Sequence, residues 1–91
     1  MDPTIFINER VNVVSIFNSS LLENSVCVPW KMKYKTQEII FTKLAMRHPT
    51  AKGHRMIHVF DVSDGRNDYR LEYDAEHLTW TLVCMIPGDY R

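Results

Sequence analysis

The sequence has 91 residues, of which 45% are hydrophobic and 24% charged, with eleven acidic and eleven basic side chains. This length suits one small domain, residues 1–91, and is too short for two independent hydrophobic cores. The balanced charge and ordinary apolar content exclude a disordered chain, and no apolar run reaches the ~18 residues of a membrane-spanning helix. The N-terminus lacks the basic stretch and apolar core of a signal peptide, so we expect a cytoplasmic protein without membrane contact.

Alternating apolar residues predict strands in the first third of the chain. In residues 4–17, one face at period two contains Ile5, Ile7, Val11, Val13 and Phe17. This pattern predicts a half-buried strand long enough to bend or break near Asn8 and Glu9. Residues 18–25 are rich in Asn, Ser and Glu and are predicted to form a loop. Residues 26–34 alternate again, with one face made of Val26, Val28, Trp30, Met32 and Tyr34. Pro29 cannot donate a ladder hydrogen bond, so we expect a sheet edge or a bulge at this point.

The middle of the chain is ambiguous between helix and strand. Residues 36–46 carry apolar side chains at helical spacing, but they also contain an Ile-Ile-Phe-Thr run, and residues 34–37 can form a hairpin turn. We predict a strand here, with a helix as the open alternative. Residues 47–55 contain a proline, a glycine and five basic or imidazole side chains, and are predicted to form an exposed loop.

The last third of the chain predicts a three-stranded antiparallel meander. Residues 56–62 are apolar on both faces, as is typical of a central strand. A glycine-containing turn at residues 63–67 leads to a second strand. Asp74 begins the next turn, where its side chain can accept a hydrogen bond from the backbone two residues later. Residues 78–86 form the last strand, which ends at Pro87 and Gly88.

These elements predict a mainly β fold of five to six antiparallel strands, built as an SH3-like small barrel or a compact sandwich. Both architectures cover strand edges that would otherwise be exposed, and the SH3-like label rests on architecture alone. The predicted core contains Val26, Val28, Trp30, Phe60, Leu71, Trp80 and Leu82. The long strand at residues 4–17 is expected at a sheet edge, where backbone pairing with a second copy would form a homodimer.

No motif in the sequence indicates an enzyme, a metal site or a cofactor. Cys27 and Cys84 fall in predicted strands and are expected to be reduced, buried thiols, with a disulfide between them as the less favoured alternative. His54 and His58 are four residues apart, which separates them by about 13 Å along a strand, too far for one metal ion. Glycine patterns for binding phosphate or a dinucleotide are absent. We therefore expect no catalytic residue, no cofactor and no small-molecule substrate.

Basic residues are concentrated in the middle of the chain. Residues 31–55 contain seven Lys or Arg and one acid, whereas the rest of the chain contains four basic and ten acidic residues. A basic surface on a small β domain is typical of proteins that contact phosphate. The candidate polyanion-binding residues are Lys31, Lys33, Lys35, Lys52 and Arg55. In the competing interpretation, these side chains are solvated or pair with the acidic residues between Asp61 and Glu76.

Two functional hypotheses follow. The first is a non-enzymatic structural or protein-interaction module, whose partner is another protein or a second copy of the chain. The alternative is a nucleic-acid or ribonucleoprotein accessory module that uses the basic surface between Lys31 and Arg55. Salt-dependent retention on heparin distinguishes the two, because phosphate contacts weaken steeply as salt rises.

Overall fold

A computed structural model describes residues 3–17 and 27–88, which form one antiparallel sheet. Its seven strands are β1 (Ile5–Phe17), β2 (Cys27–Tyr34), β3 (Gln37–Ile40), β4 (Lys43–Lys52), β5 (Arg55–Ser63), β6 (Asp68–Asp74) and β7 (Thr79–Ile86). The order across the sheet is β3-β2-β1-β7-β6-β5-β4, and the sheet is not closed. The mainly β fold is confirmed. The described residues form seven strands in a single sheet, so the predicted five to six strands and the SH3-like barrel or compact sandwich are not confirmed. Within the described residues, no helix is long and apolar enough to cross a membrane.

The sheet bends because two stretches of chain change partners along their length. β1 pairs with β7 through residues 5–11 and with β2 through residues 12–17. β3 and β4 are joined by Phe41 and Thr42, whose N–H groups donate to the carbonyls of Trp30 in β2 and Ser63 in β5, each at 2.8 Å. Strands that change partners at a bend allow one sheet to wrap around one core. The predicted bend in β1 is confirmed at Asn8, which has a φ of 54° beside a shift of register.

The core lies on the inner face of this bent sheet. Its buried side chains are Met32, Phe41, Phe60, Val62, Tyr69, Leu71, Trp80 and Leu82. Four of the predicted core residues, Phe60, Leu71, Trp80 and Leu82, are thereby confirmed. Leu71 and Leu82 lie opposite each other in the β6–β7 register and are fully buried. The predicted core residue Val26 and the predicted loop at residues 18–25 lie outside the described residues.

The two faces of β2 differ from the prediction near Trp30. The β1–β2 register shifts between Val14 and Ser15, so that β2 contains one extra residue at Trp30, and the bulge expected at Pro29 is confirmed. The extra residue reverses the alternation of side chains along β2. Pro29, which precedes the bulge, is therefore buried instead of exposed. Trp30 is 44% exposed and Val28 is only partly buried. The prediction that both belong to the core is therefore wrong.

The basic segment at residues 47–55 is a hairpin, so the prediction of an exposed loop is wrong. β4 continues to Lys52 and β5 begins at Arg55, with Gly53 in the tight turn at a φ of 65°. Glycine adopts this conformation without steric cost. Alternate residues of β4, counted from the turn, form backbone hydrogen bonds with β5. Pro49 is one of the intervening residues, so its nitrogen faces the free edge of the sheet, where no N–H donor is needed. The segment at residues 36–46 is extended, as predicted, with a break at Phe41 and Thr42.

The position of β1 corrects the prediction of an edge strand. β1 lies between β2 and β7, whereas the edges of the sheet are β3 and β4. Alternation along residues 4–17 shows which side chains are apolar, but it carries no information about pairing with β7 at the other end of the chain. Each half of β1 already pairs with a neighbouring strand, so the expectation that the whole of β1 is a free edge for a homodimer does not hold.

β5, β6 and β7 form the predicted meander, and an aspartate caps each of its turns. Oδ1 of Asp64 accepts hydrogen bonds from the N–H groups of Arg66 and Asn67, at 2.8 and 2.7 Å. Oδ1 of Asp74 accepts from the N–H groups of Glu76 and His77, at 3.0 and 3.2 Å. The bond from Glu76, two residues after Asp74, confirms the expectation for this turn.

Asp74 predicts a dependence of stability on acid. The hydrogen bond from the His77 ring, followed by those from the N–H groups of His77 and Glu76, lowers the pKa of Asp74 from 3.8 to about 2. A carboxylate with a lowered pKa stabilises the fold above its ordinary pKa, and this contribution is lost as the pH falls towards 2. We therefore expect Asp74→Asn to be less stable than the parent at pH 6, with the difference shrinking between pH 4 and about 2.

Urea unfolding at a series of pH values measures this difference. Glu76→Gln is the matched control, because its exposed carboxylate accepts none of these hydrogen bonds, and it should change stability little at any pH. A difference between Asp74→Asn and the parent that stays constant from pH 6 to pH 2 would contradict the assignment.

Candidate interaction surface

The predicted polyanion-binding residues fall into two hairpins. Lys31 and Lys33 lie on β2 and Lys35 lies in the β2–β3 turn, whereas Lys52 and Arg55 flank the β4–β5 turn. β2 pairs with β1 and β3, while β4 pairs with β5. The structure therefore provides two basic groups, on different hairpins.

The basic group at the β4–β5 turn pairs with acidic residues of the meander. Nζ of Lys52 lies 2.8 Å from Oε1 of Glu72, and Nη1 of Arg55 lies 2.8 Å from Oδ2 of Asp74. Nδ1 of His77 lies 3.0 Å from the same Asp74 oxygen. These ion pairs direct the cations towards β6 and its turn, which leaves less positive charge available to an external anion.

The β6–β7 turn contains a cluster of three potential metal ligands, found among the described residues. Ligand atoms of Asp74, Glu76 and His77 lie within 4.8 Å of one another. However, the Arg55 guanidinium already contacts the Asp74 carboxylate and lies 3.5 Å from Nδ1 of His77. A cation beside these atoms opposes a second one by charge repulsion, so the cluster functions as an ion-paired turn cap.

The basic group on β2 is only partly neutralised. Nζ of Lys31 lies 3.0 Å from Oε1 of Glu38 on β3 and 4.9 Å from the centre of the Trp30 ring. Nζ of Lys35 lies 5.5 Å from the centre of the Tyr34 ring. No carboxylate among the described residues pairs with Lys33 or Lys35. This end of β2 therefore presents positive charge beside aromatic rings.

An apolar patch covers the outer face of β1, β2 and β3. Its residues are Val14, Ile16, Val28, Trp30 and Ile40. Val14, Lys31 and Ile40 are in register across the three strands, and Ile16 lies opposite Val28 in the next row. The side chains of Val14, Ile16 and Ile40 are about half exposed. Several adjacent apolar side chains on one outer face are typical of a protein-binding surface, whereas single ones are ordinary.

A cleft lies beside this patch, where the sheet is open between β2 and β4. Its volume is about 160 Å³. Its lining includes Ile16, Val28, Pro29 and Trp30 on one side and Phe41, Thr42, Lys43 and Leu44 on the other. Phe41 is the last residue of this segment that bonds to β2, and at Thr42 the chain turns to β5. The cleft is the gap that this change of partner leaves between β2 and β4. The apolar patch therefore continues into an opening that reaches the core.

A second opening, of about 520 Å³, is a groove lined by residues of β1 and β4 to β7. Arg70 and Asp61 line it and form a two-point ion pair, at 2.8 Å from Nε to Oδ1 and 3.0 Å from Nη2 to Oδ2. Lys43 and Asp68 add one further charge of each sign, and the exposed Phe6 adds an apolar wall. With its charges balanced, the lining selects neither anions nor cations.

The two cysteines are free thiols in the structure. Cys84 is buried. Burial raises the pKa of Cys27, opposed by a hydrogen bond with Ser15 and by the positive charge of Arg47. A raised pKa disfavours the reactive thiolate.

A pair of adjacent apolar residues in the sequence indicates the apolar patch, whereas the alternation of apolar residues does not. In β1 the adjacent pair Val13 and Val14 breaks the alternation, because one side chain packs against the core and the other is exposed. Such a pair marks a strand with apolar side chains on both faces. Trp30 was missed for a different reason, since its exposure depends on the bulge.

Comparison of the chain with protein-family models, with curated proteins and with solved structures finds no match.

Proposed function

We propose that this protein is a non-enzymatic interaction module that binds another protein through the apolar patch. The observation that supports the proposal is the exposure of Trp30 on β2 beside half-exposed aliphatic side chains of the paired strands β1 and β3. Tryptophan is among the residues that contribute most to protein–protein affinity, and a rigid sheet presents it at little entropic cost. The two free thiols support a reducing, cytoplasmic location as part of the proposal.

A second candidate function, nucleic-acid binding, is favoured by one observation. Lys31 and Lys35 lie over the rings of Trp30 and Tyr34, which combines positive charge with aromatic side chains on one strand. Single-stranded nucleic acids bind to such combinations by stacking and by phosphate contacts. Against this, three of the five candidate cations already form ion pairs, and affinity for phosphate depends on the number of available cations. Protein binding therefore remains our first proposal.

Affinity capture with surface variants tests the proposal. We expect Trp30→Ala to lose a bound protein that the parent captures, because the substitution removes the largest exposed ring of the patch. Leu78→Ala is the matched control, since Leu78 is an exposed apolar residue at the β6–β7 turn that does not belong to the apolar patch, and it should retain the same protein. Unchanged circular dichroism and melting temperature establish that both variants are folded.

Two outcomes would overturn the proposal. In the first, no captured protein distinguishes Trp30→Ala from Leu78→Ala. In the second, single-stranded RNA binds the parent with a steep salt dependence, the triple variant of Lys31, Lys33 and Lys35 to Gln loses that binding, and no protein is captured. The second outcome would establish the nucleic-acid alternative.

A further inference from the structure

The open edge of β4 has one stretch that can accept another strand. Pro49 directs its nitrogen to this edge, so a ladder hydrogen bond is missing there and pairing along the second half of β4 is weakened. Residues 43–47 precede Pro49, and the first two of them, Lys43 and Leu44, line the cleft. The register with β5 shifts between Leu44 and Met46, so this stretch contains a bulge. On the other side of the cleft, β3 pairs only with residues 31–34 of β2, and its extension at Phe41 reaches Trp30. A short extended segment can therefore enter between β2 and β4.

The cleft has the size and lining for one large apolar side chain. Its volume of about 160 Å³ is similar to that of an apolar protein cavity, about 150 Å³, that accommodates benzene. Trp30 and Leu44 lie on opposite sides of the opening, and Phe41 lies at its inner end, since it belongs to the core. An aromatic or aliphatic anchor from a partner would bury its surface against these residues.

The charges around the cleft select an acidic partner. Lys43 is the charged residue of the cleft lining, and no carboxylate among the described residues pairs with it. Lys31, Lys33 and Lys35 lie further along the β2–β3 hairpin, outside the lining, and Lys31 already pairs with Glu38. Glu38 is the one acid of residues 31–55. Complementary charge favours an acidic segment over a neutral or basic one.

We infer that the partner binds as a short, extended, acidic peptide segment that pairs with residues 43–47 and places one aromatic or aliphatic side chain in the cleft. This inference rests on the proposed function and specifies the class of partner. Addition of a strand to an open sheet edge provides backbone hydrogen bonds for affinity, and the cleft provides side-chain selectivity. A second copy fits poorly, because antiparallel pairing of two β4 strands brings the positively charged Lys43 of each copy to a strand that contains no acid.

Selection from a displayed library of short random peptides, with the full chain as target, tests the inference. We expect the enriched peptides to contain an aromatic or large aliphatic residue flanked by Asp or Glu. A synthetic peptide of the enriched sequence should lose about tenfold or more in affinity when its anchor is changed to alanine. The same loss is expected against Trp30→Ala, and a smaller loss against Lys43→Gln, with Leu78→Ala as the unchanged control.

Backbone pairing is tested separately with the same synthetic peptide. Methylation of the peptide nitrogens that face β4 removes hydrogen-bond donors and should abolish binding, whereas methylation at the intervening positions should have little effect. Raising the salt concentration should weaken binding, because the contacts with the lysines are screened.

Several results would overturn the inference. In the selection, these are enrichment of basic or neutral peptides, or no more enrichment with the parent than with Trp30→Ala. With the synthetic peptide, they are an affinity that nitrogen methylation does not change, or displacement of the peptide by a concentration-dependent dimer or by single-stranded RNA. If affinity capture still yields a protein that requires Trp30 while these peptides fail, the inference is wrong and the proposed function stands. If capture also fails, both are wrong.

Discussion

Replacing Trp80 by alanine should lower the free energy of unfolding by about 3–5 kcal/mol, the range for removal of a buried tryptophan or phenylalanine side chain. Trp80 is 8% exposed, and its ring centre lies 5.4 Å from that of Phe60 and 4.7 Å from that of Tyr73. Its removal leaves a cavity between β5, β6 and β7. Since small domains have about 5–15 kcal/mol of stability in total, this loss should strongly depress the melting temperature.

Trp30→Ala is the matched control for this substitution. Trp30 is 44% exposed, so the same change of side chain should cost clearly less than Trp80→Ala. Unfolding in urea should be followed by circular dichroism, since each substitution removes a fluorophore. If Trp80→Ala is too unstable to purify, Trp80→Phe retains a ring and should show an intermediate loss. Equal stability of Trp80→Ala and Trp30→Ala would mean that the assignment of buried and exposed faces is wrong.

Phe41→Ala should also cost about 3–5 kcal/mol, although Phe41 lies between two strands instead of within one. Phe41 is 8% exposed and its ring packs edge-on against Tyr69, with ring centres 5.9 Å apart. Its N–H donates to Trp30 in β2, so this residue connects the β2–β3 hairpin with the meander. Loss of the ring should weaken the packing of these two parts of the sheet and enlarge the cleft.

Phe6→Ala is the control, because Phe6 is 69% exposed and the loss should be well under that of Phe41→Ala. Urea unfolding by circular dichroism measures both variants, and hydrogen exchange locates the effect. We expect Phe41→Ala to accelerate amide exchange in β2 and β3 more than in β6 and β7. Uniform acceleration across all strands, or no loss of stability, would show that Phe41 does not connect the two parts.

Local patterns in the sequence determined β1, β2, the meander and four members of the core, but not the second half of β4. Alternation with period two and the turn residues Asp64, Gly65 and Asp74 act within a few positions of each other, so their effect is visible in the sequence. The same locality explains why the hydrogen bond from Glu76 to Asp74 was predicted correctly.

Only the tertiary structure decided the position of β1, the exposure of Trp30 and the partners of the basic residues. β1 lies inside the sheet because it pairs with β7 from the other end of the chain, and alternation carries no record of such a distant pairing. Trp30 is exposed because one extra residue in β2 shifts the register with β1, and this shift depends on the packing of both strands. Lys52 and Arg55 meet Glu72 and Asp74 because β5 pairs with both β4 and β6, which brings separated charges together.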